Sequence, residues 1–136
     1  MSIPEVWTGG CMCGAIRYRF SQTASEPAMC HCESCRRSAG APVVTWVTVP
    51  TAALLMEDGE PRVYRSSDKV ERGFCPACGT TLTYRHLDYA DYVDIATATL
   101  DDAQALPPTD QIWTVDRLPY MEDVDGLVAH ARTRRE

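Results

Sequence analysis

The amino-acid sequence predicts a small, mainly β domain with little helix and two metal sites. Three observations carry that reading. Residues of alternating polarity recur in short stretches separated by Gly, Pro, Asp and Ser, the pattern of half-buried strands joined by turns. Only one stretch has the start and stop signals of an internal helix. All seven cysteines fall into three tight motifs, Cys11-x-Cys13, Cys30-x-Cys32-x-x-Cys35 and Cys75-x-x-Cys78, rather than scattering as buried free thiols do. At 136 residues the chain suits one domain spanning 1–136. A domain of this size buries about 70% of the surface its unfolded chain exposes, enough for a core without disulfides.

Along the chain, Gly9-Gly10 precedes the first cysteine motif. Ile16, Tyr18 and Phe20 then alternate with Arg17 and Arg19, which predicts a strand with one apolar face. Residues 21–27 read as a polar loop. Residues 33–39 predict a short helix, stopped by Gly40 with Pro42 just beyond. Residues 43–49, β-branched and aromatic, carry the strongest strand signal. Residues 54–56 and 62–65 flank Glu57-Asp58-Gly59-Glu60-Pro61, which predicts a hairpin. Residues 69–74 lead into the third cysteine motif, and 80–85 alternate with Leu82 and Tyr84 on one face. Residues 92–100 predict a strand with Val93 and Ile95 on one side. Residues 101–110, with Pro107-Pro108, read as a loop, 111–115 as a short strand, 116–120 as a turn, and those after 125 as a frayed helix.

The first and third motifs echo one another. Cys11-Met12-Cys13-Gly14 and Cys75-Pro76-Ala77-Cys78-Gly79 each set a cysteine pair on a turn closed by glycine, which accepts positive φ. Each feeds an alternating strand. Two such knuckles meeting across a sheet supply four sulfurs to one Zn²⁺, the closed arrangement of a structural site. Cys30, Cys32 and Cys35 then remain as a three-ligand site. Catalytic zinc keeps three protein ligands and leaves one position for water or substrate. A zinc ribbon from Cys32-x-x-Cys35 and Cys75-x-x-Cys78 is a competing partition. Residues 36–74 intervene there, against a usual spacing of about 15–20, and Cys11, Cys13 and Cys30 are left over. A redox role for Cys32 and Cys35 lacks the strand–helix pattern of a thioredoxin-like unit.

Other residues near the central motif have weaker claims. His31 sits between two cysteines on extended chain, so its side chain points away from theirs; a packing or supporting role is expected. Arg36 and Arg37 follow the last thiolate. They either offset the net −1 of three thiolates and Zn²⁺ and hold a substrate carboxylate, or form a solvated basic turn. Glu33 is either a general base or an exposed helix-start glutamate. Trp46, Trp113 and Tyr120 either wall a pocket or pack in the core. His86 and His130 read as structural or surface residues.

The formal net charge of −6 disfavours a general affinity for nucleic acid or anionic membranes. No apolar run approaches the roughly 20 residues that span a bilayer. Met1-Ser2-Ile3-Pro4-Glu5 has neither the basic nor the apolar region of a secretory signal. A cytoplasmic location is therefore expected, a reducing setting in which cysteine clusters bind metal or do chemistry.

Three segments resemble those of one family in order. Gly9-Gly10-Cys11-Met12-Cys13-Gly14-Ala15-Ile16-Arg17-Tyr18 resembles the opening of the glutathione-dependent formaldehyde-activating enzyme family, which includes centromere protein V-like proteins. Cys30-His31-Cys32-Glu33-Ser34-Cys35-Arg36-Arg37 is similar to its C-H-C-x-x-C-R segment, and Arg72-Gly73-Phe74-Cys75-Pro76-Ala77-Cys78-Gly79 to its R-x-F-C-x-x-C-G segment. Leu100-Asp101 and Gln111-Ile112-Trp113 resemble later landmarks. The resemblance implies an Mss4-like fold and two Zn²⁺ per chain. The structural ion falls on Cys11, Cys13, Cys75 and Cys78, the catalytic ion on Cys30, Cys32 and Cys35. It also implies a carbon–sulfur lyase reaction on a small-thiol adduct, first of all S-hydroxymethylglutathione made from glutathione and formaldehyde. Zinc would present a thiol as thiolate and polarise a carbonyl. Arg36 and Arg37 are the candidates for substrate carboxylates. The rival reading is a non-catalytic zinc-binding module that contacts a protein partner.

Overall fold

The strongest strand signal lies at the centre of the architecture. The structure, a computed structural model, describes residues 6–21 and 24–135; residues 1–5, which bear on a secretory signal, lie outside it. Strand β4 (Val44–Pro50) buries both faces. Val47 and Val49 enter one core and Val44 and Trp46 a second, as the period-two geometry of a strand requires. Two faces to bury is why this stretch reads as an apolar run rather than as alternation.

Beside β4 stand β3 (Ser25–Cys30) and β9 (Tyr92–Ala96). The sheet continues through β8 (Thr81–His86), β7 (Val70–Phe74) and β6 (Arg62–Ser67) on one side, and ends at β10 (Asp110–Ile112) on the other. The seven strands run in the order β10-β3-β4-β9-β8-β7-β6. All pair antiparallel except β10 with β3. A second sheet of β1 (Val6–Gly10), β2 (Arg17–Ser21) and β5 (Leu54–Asp58) has the order β1-β2-β5. The predicted apolar face of β2 joins the two sheets: Ile16, Tyr18 and Phe20 pack with Val47, Val49, Leu82, Val93, Ile95 and Leu100. Cys11 and Cys75 belong to this same core.

The other face of the large sheet carries the second core. Helix α1 (Glu33–Ala39) forms where expected, and Gly40, with φ 63°, closes it by donating its N–H to the Arg36 carbonyl. Register places one transverse row of side chains on this face. Tyr64 of β6 pairs with Arg72 of β7, Arg72 with Tyr84 of β8, Tyr84 with Asp94 of β9, Asp94 with Thr48 of β4, and Thr48 with Ser25 of β3.

Four expectations are corrected. The turn around Gly59 does not close a hairpin: β5 pairs with β2 and β6 with β7, so Glu57-Asp58-Gly59-Glu60-Pro61 carries the chain from one sheet to the other. Turn chemistry fixes a change of direction, while the partner strand is chosen by which apolar face needs covering. Part of the supposed loop at 21–27 is strand, since β3 begins at Ser25. Its irregular register between Ser25 and Ala28 hides the alternation. Leu82 and Tyr84 do not share a face; Leu82 lies in the first core and Tyr84 against the second. Phe74 pairs with Thr81 and Gly73 with Thr83, a bulge that leaves Leu82 extra and shifts the phase of the strand. A 3₁₀ turn at Val124–Gly126 spans Asp125, and no terminal α-helix follows it among the described residues. Leu127 and Val128 there are 63% and 84% exposed, so no buried stripe sustains a helix. No helix among the described residues is long and apolar enough to cross a membrane.

Candidate metal centres

The two knuckles meet as their internal echo suggests. At Cys11 the backbone N–H donates to Ile16 O (3.1 Å), and Gly14 N–H donates to Cys11 O (3.2 Å). At Cys75 the same pair of bonds goes to Thr80 O (3.0 Å) and comes from Gly79 (2.8 Å). Gly14 and Gly79 have φ of 83° and 80°, a conformation that a side chain disfavours. The sulfurs accept backbone N–H groups: Ile16 to Cys11 Sγ (3.2 Å), and Ala77 and Cys78 to Cys75 Sγ (3.4 Å each). Thr80 links the knuckles, accepting from Met12 N–H at 3.1 Å, with its hydroxyl 3.1 Å from Cys78 Sγ. That hydroxyl, with the Thr80 backbone, lowers the Cys78 thiol to about 5.

Cys11, Cys13, Cys75 and Cys78 bring their sulfurs within 4.8 Å of one another. Two of the separations, Cys11–Cys13 at 3.6 Å and Cys13–Cys75 at 3.8 Å, are informative. Four thiolates about 2.3 Å from a shared ion lie about 3.8 Å apart, whereas a disulfide needs about 2.0 Å. The soft donor set and its spacing therefore fit a closed tetrahedral site. The zinc-ribbon partition joining Cys32 and Cys35 to Cys75 and Cys78 is not what the chain assembles.

Cys30, Cys32 and Cys35 form the second cluster, again within 4.8 Å, and no fourth Cys, His, Asp or Glu joins it among the described residues. Three elements set it. Cys30 ends β3 opposite Val44. Cys32 is the N-cap of α1, and its sulfur accepts the Cys35 N–H at 3.3 Å. Cys35 lies on the buried face of the first turn. β10 holds the segment from outside: Ile112 pairs with Cys30 and accepts the His31 N–H at 3.1 Å. His31 is buried and turns away from the sulfurs, its Nε2 2.9 Å from Gln111 Oε1. Hydrogen bonding from Cys30, assisted against burial by Arg72, lowers the Cys35 thiol to about 5. Cys30 is pushed up by the same bond and by burial.

A cavity of about 430 Å³ opens on these three cysteines, and Trp46, Arg72, Tyr84, Asp94 and Trp113 line it. Trp46 is at once core and cavity wall, 5% exposed. Trp113, 61% exposed with φ 57°, stands at the rim, and Tyr120 is not among the lining residues. His86 packs against Tyr89, and His130 is exposed. Glu33 lines the cavity but pairs with Arg37 at 2.9 Å. Neither Arg36 nor Arg37 lines it. Arg37 borders a neighbouring depression that shares Ser34, Ser66 and Arg72 with the cysteine cavity. The guanidinium at the cysteines is that of Arg72. In the sequence Arg72 stands in the third motif with no role of its own, although a charged residue inside a short strand beside a cysteine motif is itself a signal.

Asp94 was not singled out either. Burial raises its carboxyl to about 6, opposed by the Thr48 hydroxyl that donates to Oδ1 at 2.7 Å. A folded value above the unfolded one means the native state holds a proton the unfolded chain releases. Stability from this residue is thus full below about pH 3.8 and lost as pH rises through about 6. Asp94→Asn keeps an acceptor for Thr48 and removes the ionised form. It should stabilise the protein on the order of 1–3 kcal/mol at pH 8, and by about half as much at pH 5. Urea titrations of both proteins at the two pH values check this; an equal gain at each would contradict it.

The fold and the two clusters define a class: a small β protein with one four-cysteine and one three-cysteine cluster, each able to hold a metal ion. The family model of the glutathione-dependent formaldehyde-activating enzyme matches residues 6–116, and the chain belongs to that family. The Mss4-like, mainly β architecture expected from the motifs goes with it. An uncharacterized lyase of Schizosaccharomyces pombe is 32% identical over 84 residues, covering 62% of this chain and 60% of the yeast protein. The chain thus matches less than two thirds of that relative's length. The crystal structure of a Rhodobacter sphaeroides protein superposes with a TM-score of 0.63 at 19% identity, covering 76% of this chain and 98% of that one. That likeness concerns the fold.

Proposed function

We propose that the protein is a zinc-dependent carbon–sulfur lyase acting on the adduct of a small thiol with an aldehyde, S-hydroxymethylglutathione being the first candidate. The observation that carries this reading is the contrast between the two clusters. Four cysteines complete one site, while three converge on a cavity with no fourth protein ligand among the described residues. The family and the lyase name of the yeast relative support it. A zinc ion on Cys30, Cys32 and Cys35 would supply a Lewis acid able to hold a thiol as thiolate.

In the cleavage direction the carbon–sulfur bond breaks with its electron pair going to sulfur. The adduct's hydroxyl loses its proton as the carbonyl forms, and no electrons enter or leave. The chain's residues do the rest. Trp46 and Trp113 wall the adduct against water. Asp94, with Oδ1 taken by Thr48, offers its other carboxylate oxygen to the departing proton. On this reading the stabilising Asp94→Asn exchange also lowers turnover about 10²-fold, the usual contribution of an acid–base group. Arg37, in the depression beyond Ser34, remains our candidate for a substrate carboxylate, which would have to compete with its ion pair to Glu33; Arg36 lines neither space.

The rival reading, an interaction module without catalysis, draws on the exposed Trp113, Val115, Tyr120 and Leu127. One experiment separates the two: metal content per chain, followed by turnover of thiol–formaldehyde adducts. Two zinc ions and release of thiol and aldehyde are expected. One zinc ion, or two with no turnover of any adduct, would defeat the lyase reading.

A further inference from the structure

Among the described residues Arg72 is the only buried arginine or lysine, at 7% exposure. Its guanidinium is held on three sides. Nε donates to Ser66 Oγ at 3.1 Å, Nη1 donates to Cys35 Sγ at 3.6 Å, and the tyrosine ring of Tyr84 lies beneath it, 5.1 Å from its central carbon to the ring centroid. No carboxylate lies within ion-pair distance of it among the described residues. A buried cation without a counter-charge is costly, and the group that can supply one is the Cys35 sulfur. Three thiolates and a divalent ion carry a net charge of −1, and one guanidinium brings that sum to zero inside the protein. The sequence offers Arg36 and Arg37 either for this task or as a solvated basic turn; in the structure the guanidinium beside Cys35 comes from β7.

We infer that Arg72 is the positioning residue of the three-cysteine centre, holding Cys35 as a ligand and balancing the charge of the metal-loaded cluster. This rests on the reading that the cluster binds a metal. The placement has a second consequence. Arg72 and Cys75 stand three residues apart on one run of chain. The closed cluster fixes the end of β7 through Cys75, and β7 carries Arg72 to the other centre. The two sites are thereby built on one strand, and β7 is the shared support.

The test loads full-length wild type, Arg72→Met, Arg72→Lys and Ser66→Ala with cobalt(II), and follows three readouts. These are metal ions per chain, affinity of the weaker site by chelator competition, and the thiolate-to-cobalt charge-transfer band. Wild type should take two ions. Arg72→Met should weaken the three-cysteine site about 10- to 100-fold, the scale for a partner that orients a ligand, and leave the four-cysteine site unchanged. Its charge-transfer band should move to lower energy, because a sulfur stripped of a cationic donor gives up electrons more readily. Arg72→Lys keeps the charge but not the fork, and should recover part of the affinity. Ser66→Ala removes one anchor at an exposed position and should weaken the same site about 2- to 10-fold. Wild-type affinity and band in Arg72→Met would overturn the inference. If Arg72→Met fails to fold, Ser66→Ala and Arg72→Lys decide: wild-type affinity in both overturns it. A wild type that binds a single ion would overturn the lyase proposal itself, while two ions and an indifferent Arg72 defeat only this inference.

Discussion

Cys32→Ser is expected to abolish turnover and to lower the metal content from two ions per chain to one, with the fold intact. The variant is clean because of the second task Cys32 performs. Its sulfur caps α1 by accepting the Cys35 N–H, and serine is among the best N-cap residues. The helix therefore keeps its start while the cluster loses a soft ligand. Loss of a ligand exceeds the 10–100-fold effect of an outer partner, so turnover should fall by more than about 100-fold. Kinetics, metal analysis and a thermal melt check the three parts. Loss of both metals, or a collapse of the melting transition, would show that the two clusters do not divide the work as proposed.

Cys75→Ser should have the opposite signature: an unfolded or aggregated protein, rather than a folded and inactive one. Cys75 is fully buried, sits in the first core and accepts two backbone N–H groups of its own turn. Metal binding to a four-cysteine site contributes about 10–16 kcal/mol of folding free energy in small zinc domains. Whole domains are stable by about 5–15 kcal/mol. Removing that contribution leaves little to hold the knuckles, β7 and the end of the core together. Strong chelation of the wild type should do the same. Circular dichroism with and without chelator decides the matter, and retention of the native spectrum after the metal is stripped would refute the structural role.

The division of the seven cysteines into a cluster of four and a cluster of three was legible because its signals are local. C-x-C and C-x-x-C turns closed by Gly14 and Gly79 dictate their own hydrogen bonds, so the knuckles could be drawn from spacing alone. The helix from Glu33 to Ala39 with Gly40 at its end was legible for the same reason, as was the existence of strand β4, though not the burial of both its faces. The hairpin around Gly59 failed because a turn sequence says that the chain reverses but not which strand it joins. The Leu82 and Tyr84 faces failed because a single extra residue on β8, set by the partner strand β7, inverts the alternation.

The candidate site divides along the same line. The three clustered thiols were in the sequence, since thiol chemistry and spacing group Cys30, Cys32 and Cys35 without reference to anything distant. The surroundings of those thiols were not. Arg72, Tyr84 and Asp94 come from three strands and form one row only through inter-strand register, while Arg37, adjacent in sequence, bonds Glu33 one helical turn away. Short-range spacing therefore determined which atoms can bind metal. Tertiary structure alone decided which charges face them, because register across a sheet is fixed by the packing of its two faces and not by any one strand.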